Sequence, residues 1–322
     1  MTEAPLHDTL IIGGGPAGLS AATHLAFHRR DVVVIDRASG PLRYTTTPLH
    51  NVPGFVGERG VDILKRLRGD AEGAGARLVR SNVTRVSGQE GDFTVETDVG
   101  TFRARTLLLA TGVARHHPRV SGRFEPWLPY AAKGNTYYCP DCESPEVLGQ
   151  DVLVIGVNSP VGAASVALTL SEFAREVRVL LTDSEELDEP WAGRLARRGI
   201  TWQVGEIAAV EGKRGHLDAL TLADGTRLTP EGVFVVGPKT PRNDLAVQLG
   251  LELSEKGHVK TGWRGQTNVP DVWAAGDVQP QTQQVSVALG SGNIAAVMID
   301  QTLTRLGLRD LGREVTEALA AD

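Results

Sequence analysis

The chemistry available to this chain is concentrated in its only two cysteines, Cys139 and Cys142, which occur in the sequence Cys-Pro-Asp-Cys. A C-x-x-C pair can form a small disulfide ring, in which one thiol attacks a substrate disulfide and the other resolves the mixed disulfide. The alternative is half of a zinc site, but four-coordinate zinc needs two further ligands. The nearest candidates, His116 and His117, adjoin each other instead of lying one helical turn apart. The pattern therefore favours a redox pair, and no metal site is expected.

A glycine-rich turn near the amino terminus is the second informative pattern. It follows the apolar stretch 9–12, precedes an apolar helical stretch, and is followed by a second predicted strand that ends at Asp36. This G-x-G-x-x-G pattern in a strand–turn–helix setting predicts a dinucleotide site, because the glycines let the backbone approach a pyrophosphate. Asp36 would hold ribose hydroxyls, which favours an adenosine ribose without a 2′-phosphate. The candidate cofactor-binding residues here are Gly13, Gly15, Pro16, Ala17, Gly18, Asp36 and Arg37.

Two later apolar stretches also end in small or acidic residues. The first, 106–109, leads into Ala110, Thr111 and Gly112, and the second, 272–275, leads into Gly276 and Asp277. Open α/β sheets bind ligands at the carboxyl ends of their strands. We therefore expect both strand ends to contribute to the cofactor site, with Asp277 near a ribityl hydroxyl or the pyrophosphate.

The order of these patterns, G-G-G-P-A-G, A-T-G, C-x-x-C and A-A-G-D, resembles that of the low-molecular-weight thioredoxin reductases. The resemblance extends through almost the whole chain and implies FAD in the first site. It also implies an α/β fold with two dinucleotide-binding, Rossmann-like, three-layer domains, the second inserted in the first. The FAD-binding domain is then expected at 1–115 and 244–322, and the inserted module, which carries the C-x-x-C, at 116–243. The segments near 113–118 and 237–241, in which glycine, proline and polar residues concentrate, are typical of such connections.

The resemblance also assigns roles to individual residues. It implies that Cys142 is nearer the flavin and that Cys139 attacks or releases the substrate disulfide. Glu143 stands where the family has an Asp that acts as proton donor, so it is a catalytic candidate. Leu42 replaces a flavin-contacting Gln of the family. The other positions that the resemblance places at the cofactor are Thr46, Asn51, Val83, Gln284 and Val285.

A second strand–turn–helix unit begins at 151–156, but its turn departs from the family pattern. Asn158 replaces the second glycine, Val161 replaces the third small residue, and Pro160 removes a backbone donor at the helix start. Where the family has cations for the 2′-phosphate of NADPH, this chain has the carboxylates Asp183, Glu185, Glu186, Asp188 and Glu189. Carboxylates repel a phosphate dianion, so NADPH is not expected as a cofactor.

These features resemble the thioredoxin-reductase-like flavoenzymes that keep FAD and C-x-x-C but lack NADPH determinants; ferredoxin-linked members take electrons from an iron–sulfur protein. The leading hypothesis is an FAD-dependent disulfide reductase whose donor is not NADPH. Its partners would be a thioredoxin-like protein or a small disulfide, and a ferredoxin-like donor. The alternatives are an NADPH-dependent thioredoxin reductase with an atypical site, an FAD-dependent dithiol oxidase, and a flavin redox sensor without turnover.

Composition and charge narrow the classes of protein. A formal net charge of −6 argues against nucleic acid as a partner, since nucleic acid binding favours a basic face. No apolar run approaches the ~18 residues of a membrane span. Two cysteines do not make a secreted disulfide framework, and the start is polar and too short for a signal peptide, so a cytoplasmic location is expected. A homodimer is expected from the family resemblance alone.

Overall fold

The computed structural model describes residues 4–182 and 186–321, with side chains up to residue 307. Its α-helices over these residues are α1 (Pro16–Phe27), α2 (Gly60–Ala74), α3 (Pro140–Glu143), α4 (Pro160–Leu170), α5 (Glu189–Arg197), α6 (Asp244–Gln248) and α7 (Val285–Ala321). Within the described ranges, none of them combines the length and the apolar character that crossing a membrane would require.

The strands alternate with these helices along most of the chain. They are β1 (Leu6–Ile12), β2 (Val32–Asp36), β3 (Pro48–Leu49), β4 (Glu58–Arg59), β5 (Arg77–Arg80), β6 (Val83–Gln89), β7 (Asp92–Thr97), β8 (Gly100–Leu109), β9 (Val113–Arg115), β10 (Thr136–Tyr137), β11 (Asp151–Gly156), β12 (Glu176–Leu181), β13 (Thr201–Val204), β14 (Ile207–Lys213), β15 (His216–Leu222), β16 (Arg227–Leu228), β17 (Gly232–Val236), β18 (Lys239–Pro241) and β19 (Val272–Ala274).

The chain forms two compact units. The first comprises Met1–Arg43, Asp62–Ala114 and Thr240–Asp322, and the second comprises Tyr44–Val61 and Arg115–Lys239. The chain passes from the first unit to the second within β9 and returns to the first within β18. Both strands lie in the connecting segments that were predicted from the sequence. The segment Tyr44–Val61 groups with the unit that carries the cysteines, although the predicted ranges include it in the FAD-binding domain. Those ranges concern cofactor binding and stay a prediction.

The first unit is built on a parallel sheet in the order β5-β2-β1-β8-β19. Strand β1 is almost wholly buried after its first residues, as is typical of strands with both faces covered. Strand β8 has ten residues: its first half pairs antiparallel with β7, and its second half pairs parallel with β19. Because Ile12 pairs with Leu109 and Leu109 pairs with Ala274, the carboxyl ends of β1, β8 and β19 meet at one edge.

Helix α1 follows β1 and packs closely against the beginning of α7. A Cβ atom on Gly292 would lie 2.1 Å from the carbonyl oxygen of Ala17, and one on Gly276 would lie 2.9 Å from the Ala17 Cβ. The Ser20 hydroxyl donates to the Leu289 carbonyl at 2.8 Å. The two glycines therefore allow α7 and the turn after β19 to approach the first turn of α1.

The second unit repeats this arrangement. Its parallel sheet has the order β10-β17-β11-β12-β13, and an antiparallel sheet, β14-β15-β16, accompanies it. Its central strand β11 is buried from Val152 to Gly156 and pairs with β12 on one side and β17 on the other. The predicted α/β architecture with two Rossmann-type folds is confirmed.

Candidate functional site

The glycine turn of the first unit joins β1 to α1 at the carboxyl edge of the sheet. Gly13 has a φ of +113°, and a Cβ atom there would lie 2.2 Å from the Ala110 carbonyl oxygen. A Cβ atom on Gly18 would lie 2.0 Å from the Gly13 carbonyl oxygen. Since these are backbone atoms that cannot move aside, both positions require glycine for the fold of the turn itself.

Gly15 is a glycine for a different reason. Apart from its two chain neighbours, no residue has an atom within 4 Å of the position that its Cβ would occupy, so this position faces open space. Gly15 is the N-cap of α1, which has Pro16 in its first turn and no side-chain hydrogen bond at its cap. An uncapped helix amino terminus offers N–H groups and a positive dipole end to an anion. The turn, with Ala17 in the first turn of α1, fits the pyrophosphate of a dinucleotide.

Asp36 lies at the end of β2, where a ribose-binding carboxylate was predicted. Its Oδ1 accepts a hydrogen bond from the Ala38 N–H at 3.0 Å, and its Oδ2 accepts one from Arg68 Nη1 at 3.3 Å. The Asp36 side chain is 14% exposed, so part of the carboxylate remains accessible. Arg68, on α2, was not predicted, because nothing in the spacing of the arginines on that helix distinguishes it.

Two other candidates lie close to Asp36 along the sheet. The Ser81 N–H donates to the Asp36 carbonyl at 3.2 Å, which brings the start of β6, with Val83, to the end of β2. Arg37 follows Asp36 directly and donates from Nε to the Ser39 hydroxyl at 2.6 Å. The residues predicted for the adenosine end therefore lie close together within the first unit, and their role in binding stays a prediction.

The residues that follow β8 are hydrogen-bonded to the end of β1 and to the segment after β18. The Ala110 N–H donates to the Ile12 carbonyl at 2.8 Å, next to the glycine turn. The Thr111 hydroxyl donates to the Arg242 carbonyl at 2.7 Å, and the Arg242 N–H donates to the Gly112 carbonyl at 3.0 Å. These three candidates are therefore held rigidly beside the turn.

The strand end after β19 and the beginning of α7 complete this edge. Gly276 has a φ of +74°, and its N–H donates to the Ser291 hydroxyl of α7 at 3.0 Å. Asp277 lies in the short 3-10 turn that follows β19, and Val285 is the first residue of α7. The Gln284 carbonyl accepts the Ala288 N–H at 2.9 Å, which closes the first turn of that helix. Leu42 is half-buried in a separate 3-10 turn, Pro41–Arg43.

Two candidates, Thr46 and Asn51, belong to the second unit instead. The Thr46 N–H donates to the Ala132 carbonyl at 3.3 Å. The Asn51 amide donates to the carbonyl of Asp141, the residue before Cys142, at 3.4 Å. The loop that was expected to contact the flavin is therefore bonded directly to the redox segment.

Cys139 and Cys142 form a disulfide at the start of α3. Cys139 is the N-cap of this helix, and its carbonyl accepts the Cys142 N–H at 3.1 Å. Both cysteines are partly exposed. A disulfide between two partly exposed cysteines can take part in thiol–disulfide exchange where a thiolate reaches one of its sulfurs.

Glu143, the predicted proton donor, is only 4% exposed. Its Oε2 accepts the N–H groups of Tyr138 and Cys139, each at 3.0 Å. Burial raises the pKa of the Glu143 carboxyl above its ordinary value, although these two N–H groups and the Arg115 guanidinium act in the opposite direction. Glu143 is thus attached to the backbone of the redox pair, and its role as proton donor stays a prediction.

Tyr138, next to the redox pair, is fixed by an aromatic cluster. Trp127 Nε1 donates to its hydroxyl at 2.9 Å, and His117 Nδ1 lies 2.7 Å from the same oxygen. The Arg115 guanidinium lies 5.4 Å from the centre of the Tyr138 ring. Burial raises the pKa of Tyr138 and lowers that of His117, so both side chains are neutral near pH 7. Sequence reasoning missed Trp127, because no spacing or motif connects it to Tyr138 or to the cysteines.

The turn of the second unit differs from that of the first in conformation as well as in sequence. Asn158 has a φ of +48° and an exposed side chain, whereas Gly15 has a φ of −84° and a ψ of −175°. Helix α4 begins at Pro160, four residues after Gly156, whereas α1 begins three residues after Gly13. Val161, in the first turn of α4, is an apolar side chain that is 43% exposed.

The acidic segment after β12 is described only in part. Asp183 and Glu185 lie outside the described residues. Glu186, Asp188 and Glu189 are exposed, and Glu189 begins α5. The nearby Arg194 stacks on Trp191, with its guanidinium 4.6 Å from the ring centre, and Arg198 pairs with Glu172 at 3.2 Å.

Comparison with known proteins connects these features to one family. The model of the pyridine nucleotide-disulphide oxidoreductases matches residues 7–292. A thioredoxin reductase of Streptomyces clavuligerus is 31% identical, over 94% of this chain and 95% of that protein. NADPH-dependent thioredoxin reductase 3 of Arabidopsis thaliana is 29% identical, over 93% of this chain and 59% of that protein. The crystal structure of HlmI matches with a TM-score of 0.85 at 26% identity, over 99% of each chain.

The geometry and the comparisons agree on the chemistry. A redox-active disulfide and a Rossmann-type fold that fits a dinucleotide are what a thioredoxin reductase-like flavoprotein requires. FAD is the cofactor that the relatives imply for the first unit, so the protein is a flavin-dependent disulfide oxidoreductase. By its sequence match over most of its length, the chain belongs to the pyridine nucleotide-disulphide oxidoreductase family.

Proposed function

We propose that this protein couples FAD in its first unit to the Cys139–Cys142 pair and receives electrons from a donor other than NADPH. The residues that would hold FAD are those of the glycine turn, Asp36, and the strand ends after β8 and β19. When bound, FAD supplies the two-electron redox chemistry of the reaction. The main observation against NADPH as the donor is the altered turn of the second unit at Asn158.

The protein's own part of the reaction is thiol–disulfide exchange. In the reduced protein, the Cys139 thiolate attacks one sulfur of a substrate disulfide, which forms a mixed disulfide and releases one substrate thiolate. The Cys142 thiolate then attacks the Cys139 sulfur, which releases the second substrate thiolate and restores the Cys139–Cys142 disulfide. One substrate disulfide is thereby reduced to two thiols at the expense of the protein dithiol.

The altered turn works against a pyridine nucleotide in two ways. At Asn158 a side chain occupies the place of the glycine that lets a backbone approach a pyrophosphate. Helix α4 also begins one residue later after the first glycine of its turn than α1 does, so its N–H groups follow the turn at a different spacing. A dinucleotide would meet side chains where the first unit offers open backbone.

Negatively charged side chains after β12 also disfavour NADPH. Glu186, Asp188 and Glu189 are exposed carboxylates, and carboxylates repel the 2′-phosphate of NADPH. Of the three arginines on α5 and just after it, Arg194 is stacked on Trp191 and Arg198 is paired with Glu172, whereas Arg197 is exposed. The Arabidopsis relative is named as NADPH-dependent, so this proposal sets the chain apart from that protein. The partners that we propose instead are a ferredoxin-like donor and a thioredoxin-like protein or small disulfide as acceptor.

The test is an anaerobic donor screen on the FAD-loaded protein, with the flavin absorbance as the readout. We expect excess NADPH or NADH to leave the flavin largely oxidised, whereas reduced ferredoxin bleaches it. Rapid bleaching by NADPH would contradict the proposal.

The variant Cys142→Ser should retain FAD but lose turnover of disulfides, and undiminished turnover would exclude the cysteine pair from the reaction. Oxygen consumption with added dithiols would instead identify a dithiol oxidase.

A further inference from the structure

We infer that Glu143 is a positioning residue that clamps the backbone of Cys139, and that it is not the proton donor of the reaction. The inference rests on the proposed function only in taking Cys139 as the attacking cysteine. The observation that carries it is the pair of hydrogen bonds from the Tyr138 and Cys139 N–H groups to one carboxyl oxygen, each 3.0 Å long.

The clamp compensates for the shortness of α3. This helix has only four residues, Pro140–Glu143, and so few residues do not hold a helical conformation by propensity alone. Its cap, Cys139, makes no side-chain hydrogen bond to the helix, so the cap geometry is held by other groups. Glu143 reaches back from the end of α3 to the N–H groups of Tyr138 and the N-cap Cys139, so it accepts two N–H groups at the start of the helix. The Glu143 carboxyl therefore links the end of α3 to the backbone at its beginning.

The surrounding contacts make this attachment rigid. Tyr138 is 7% exposed, and its hydroxyl is held by Trp127 and His117. Its side chain is therefore fixed in the aromatic cluster while its backbone N–H is fixed by Glu143. Loss of the carboxyl would leave two N–H groups without their acceptor, and buried N–H groups without an acceptor carry a desolvation penalty. Cys139 would then lose the support that sets the direction of its side chain.

The clamp should favour the disulfide over the dithiol. The bridge to Cys142 holds the Cys139 backbone in place, so the oxidised protein cannot relax to give the two N–H groups new partners. The reduced protein is free of the bridge and can rearrange. Removal of the clamp therefore penalises the oxidised form more than the reduced form, and the pair becomes easier to reduce.

Two substitutions separate clamping from proton donation. Glu143→Gln keeps an oxygen at the same reach, which can accept both N–H groups, but it cannot supply a proton. Glu143→Asp keeps the acid but has a side chain shorter by one methylene, which cannot reach both N–H groups. Glu146→Gln is the matched control, because Glu146 lies in the next turn and pairs with His50 at 3.5 Å instead of with the redox backbone.

The first measurement is the equilibrium of the cysteine pair with dithiothreitol redox buffers, followed by alkylation and mass analysis. We expect Glu143→Gln and Glu146→Gln to stay within about threefold of the wild-type equilibrium constant. Glu143→Asp should shift it at least tenfold toward the dithiol, which corresponds to about 30 mV. A Glu143→Asp protein with the wild-type equilibrium would overturn the clamp. Retained FAD and an unchanged circular dichroism spectrum identify the variants that are folded.

The second measurement is turnover against pH with a donor that reduces the flavin. A clamp predicts that Glu143→Gln keeps the wild-type rate within about threefold and both limbs of the pH profile, whereas Glu143→Asp loses at least tenfold. Loss of activity and of one limb in Glu143→Gln, with Glu143→Asp active, would instead establish proton donation. The dithiothreitol equilibrium needs no electron donor. Failure of every donor would therefore count against the proposed function without affecting the test of the clamp.

Discussion

The two units share the order of four parallel strands, β5-β2-β1-β8 and β13-β12-β11-β17, but differ at the turn where such a fold holds its ligand. In both, a central buried strand leads into a glycine, a short loop and a helix with proline in its first turn. Gly13 in the first unit and Gly156 in the second are both enclosed, since a Cβ on Gly156 would lie 2.8 Å from Leu181 Cδ2. Gly15 faces open space, and its counterpart Asn158 carries an exposed side chain.

This difference separates two reasons for glycine within one motif. The first glycine of each turn is required by the packing of strand, loop and helix, so it is present in both units. The second glycine is not required by packing, and only the first unit has it; under the proposed function it makes room for the dinucleotide. The second unit therefore keeps the strand–turn–helix fold although its second glycine is replaced, and the same unit carries the Cys139–Cys142 disulfide.

The largest effect is expected at the packing glycine of the first unit. Gly13→Ala would place a Cβ 2.2 Å from the Ala110 carbonyl oxygen at a φ of +113°, and should lower the free energy of unfolding by at least about 3 kcal/mol. Denaturant unfolding of the apoprotein measures this loss without any contribution from FAD. Gly69→Ala is the control, because Gly69 is exposed within α2 with no atom near its Cβ, and alanine there should stabilise by about 0.5–1 kcal/mol. Equal stability of the two variants would contradict the packing role.

The sequence was sufficient for the features that depend on local pattern. Apolar strands, the glycine turn and Asp36 predicted the first unit, and the substitution at Asn158 marked the second turn as different. The sequence did not indicate that Asn158 adopts a left-handed conformation or that α4 begins one residue later. Both depend on how the loop packs, which the residue types alone do not determine.

The long-range contacts could not be predicted from the sequence either, because they also depend on how distant segments pack. The bond from Asn51 to the Asp141 carbonyl joins residues 90 positions apart, and no periodicity reports such a pairing. Trp127 and Tyr138 come together through an irregular segment between them, where neither helical nor strand spacing applies. Glu143 was identified as a candidate from its place after Cys142, but its burial appears only when the segment is folded.

Substitutions at Gly15 and Asn158, which occupy the second-glycine position of the two turns, test whether this position decides dinucleotide binding. Gly15→Asn should preserve the fold, because no residue other than its two chain neighbours has an atom within 4 Å of the new side chain's Cβ, but should weaken FAD binding at least tenfold. Asn158→Gly should leave both FAD content and the lack of response to NADPH unchanged, since the carboxylates and the later helix start remain. Flavin absorbance per protein and anaerobic mixing with NADPH measure the two outcomes. Full FAD content in Gly15→Asn would contradict the assignment of the turn, and bleaching in Asn158→Gly would show that one side chain excludes the nucleotide.

The smallest effect concerns the pH dependence of the second unit's stability. Of the carboxylates whose side chains the structure describes, Glu143 alone is less than a tenth exposed, and burial raises its pKa in the folded protein. The folded state therefore holds this proton more tightly than the unfolded state does, so the free energy of unfolding falls as the pH rises from about 4.5, the ordinary value, through the folded-state pKa. Glu143→Gln cannot ionise and should lack this fall.

Hydrogen exchange can assign that effect to one unit. Comparing wild type with Glu143→Gln at each pH cancels the intrinsic exchange rate, so any difference reports local stability. We expect the amides of β11 in the wild type to lose protection relative to the variant as the pH rises, while those of β1 do not change. The reason is that Glu143 is bonded to Tyr138, and Tyr137 beside it pairs in β10 with the same strand, β17, that pairs with β11. An equally large difference in amide protection between wild type and Glu143→Gln in β1 would contradict this prediction. It would mean that ionisation of Glu143 affects the stability of both units.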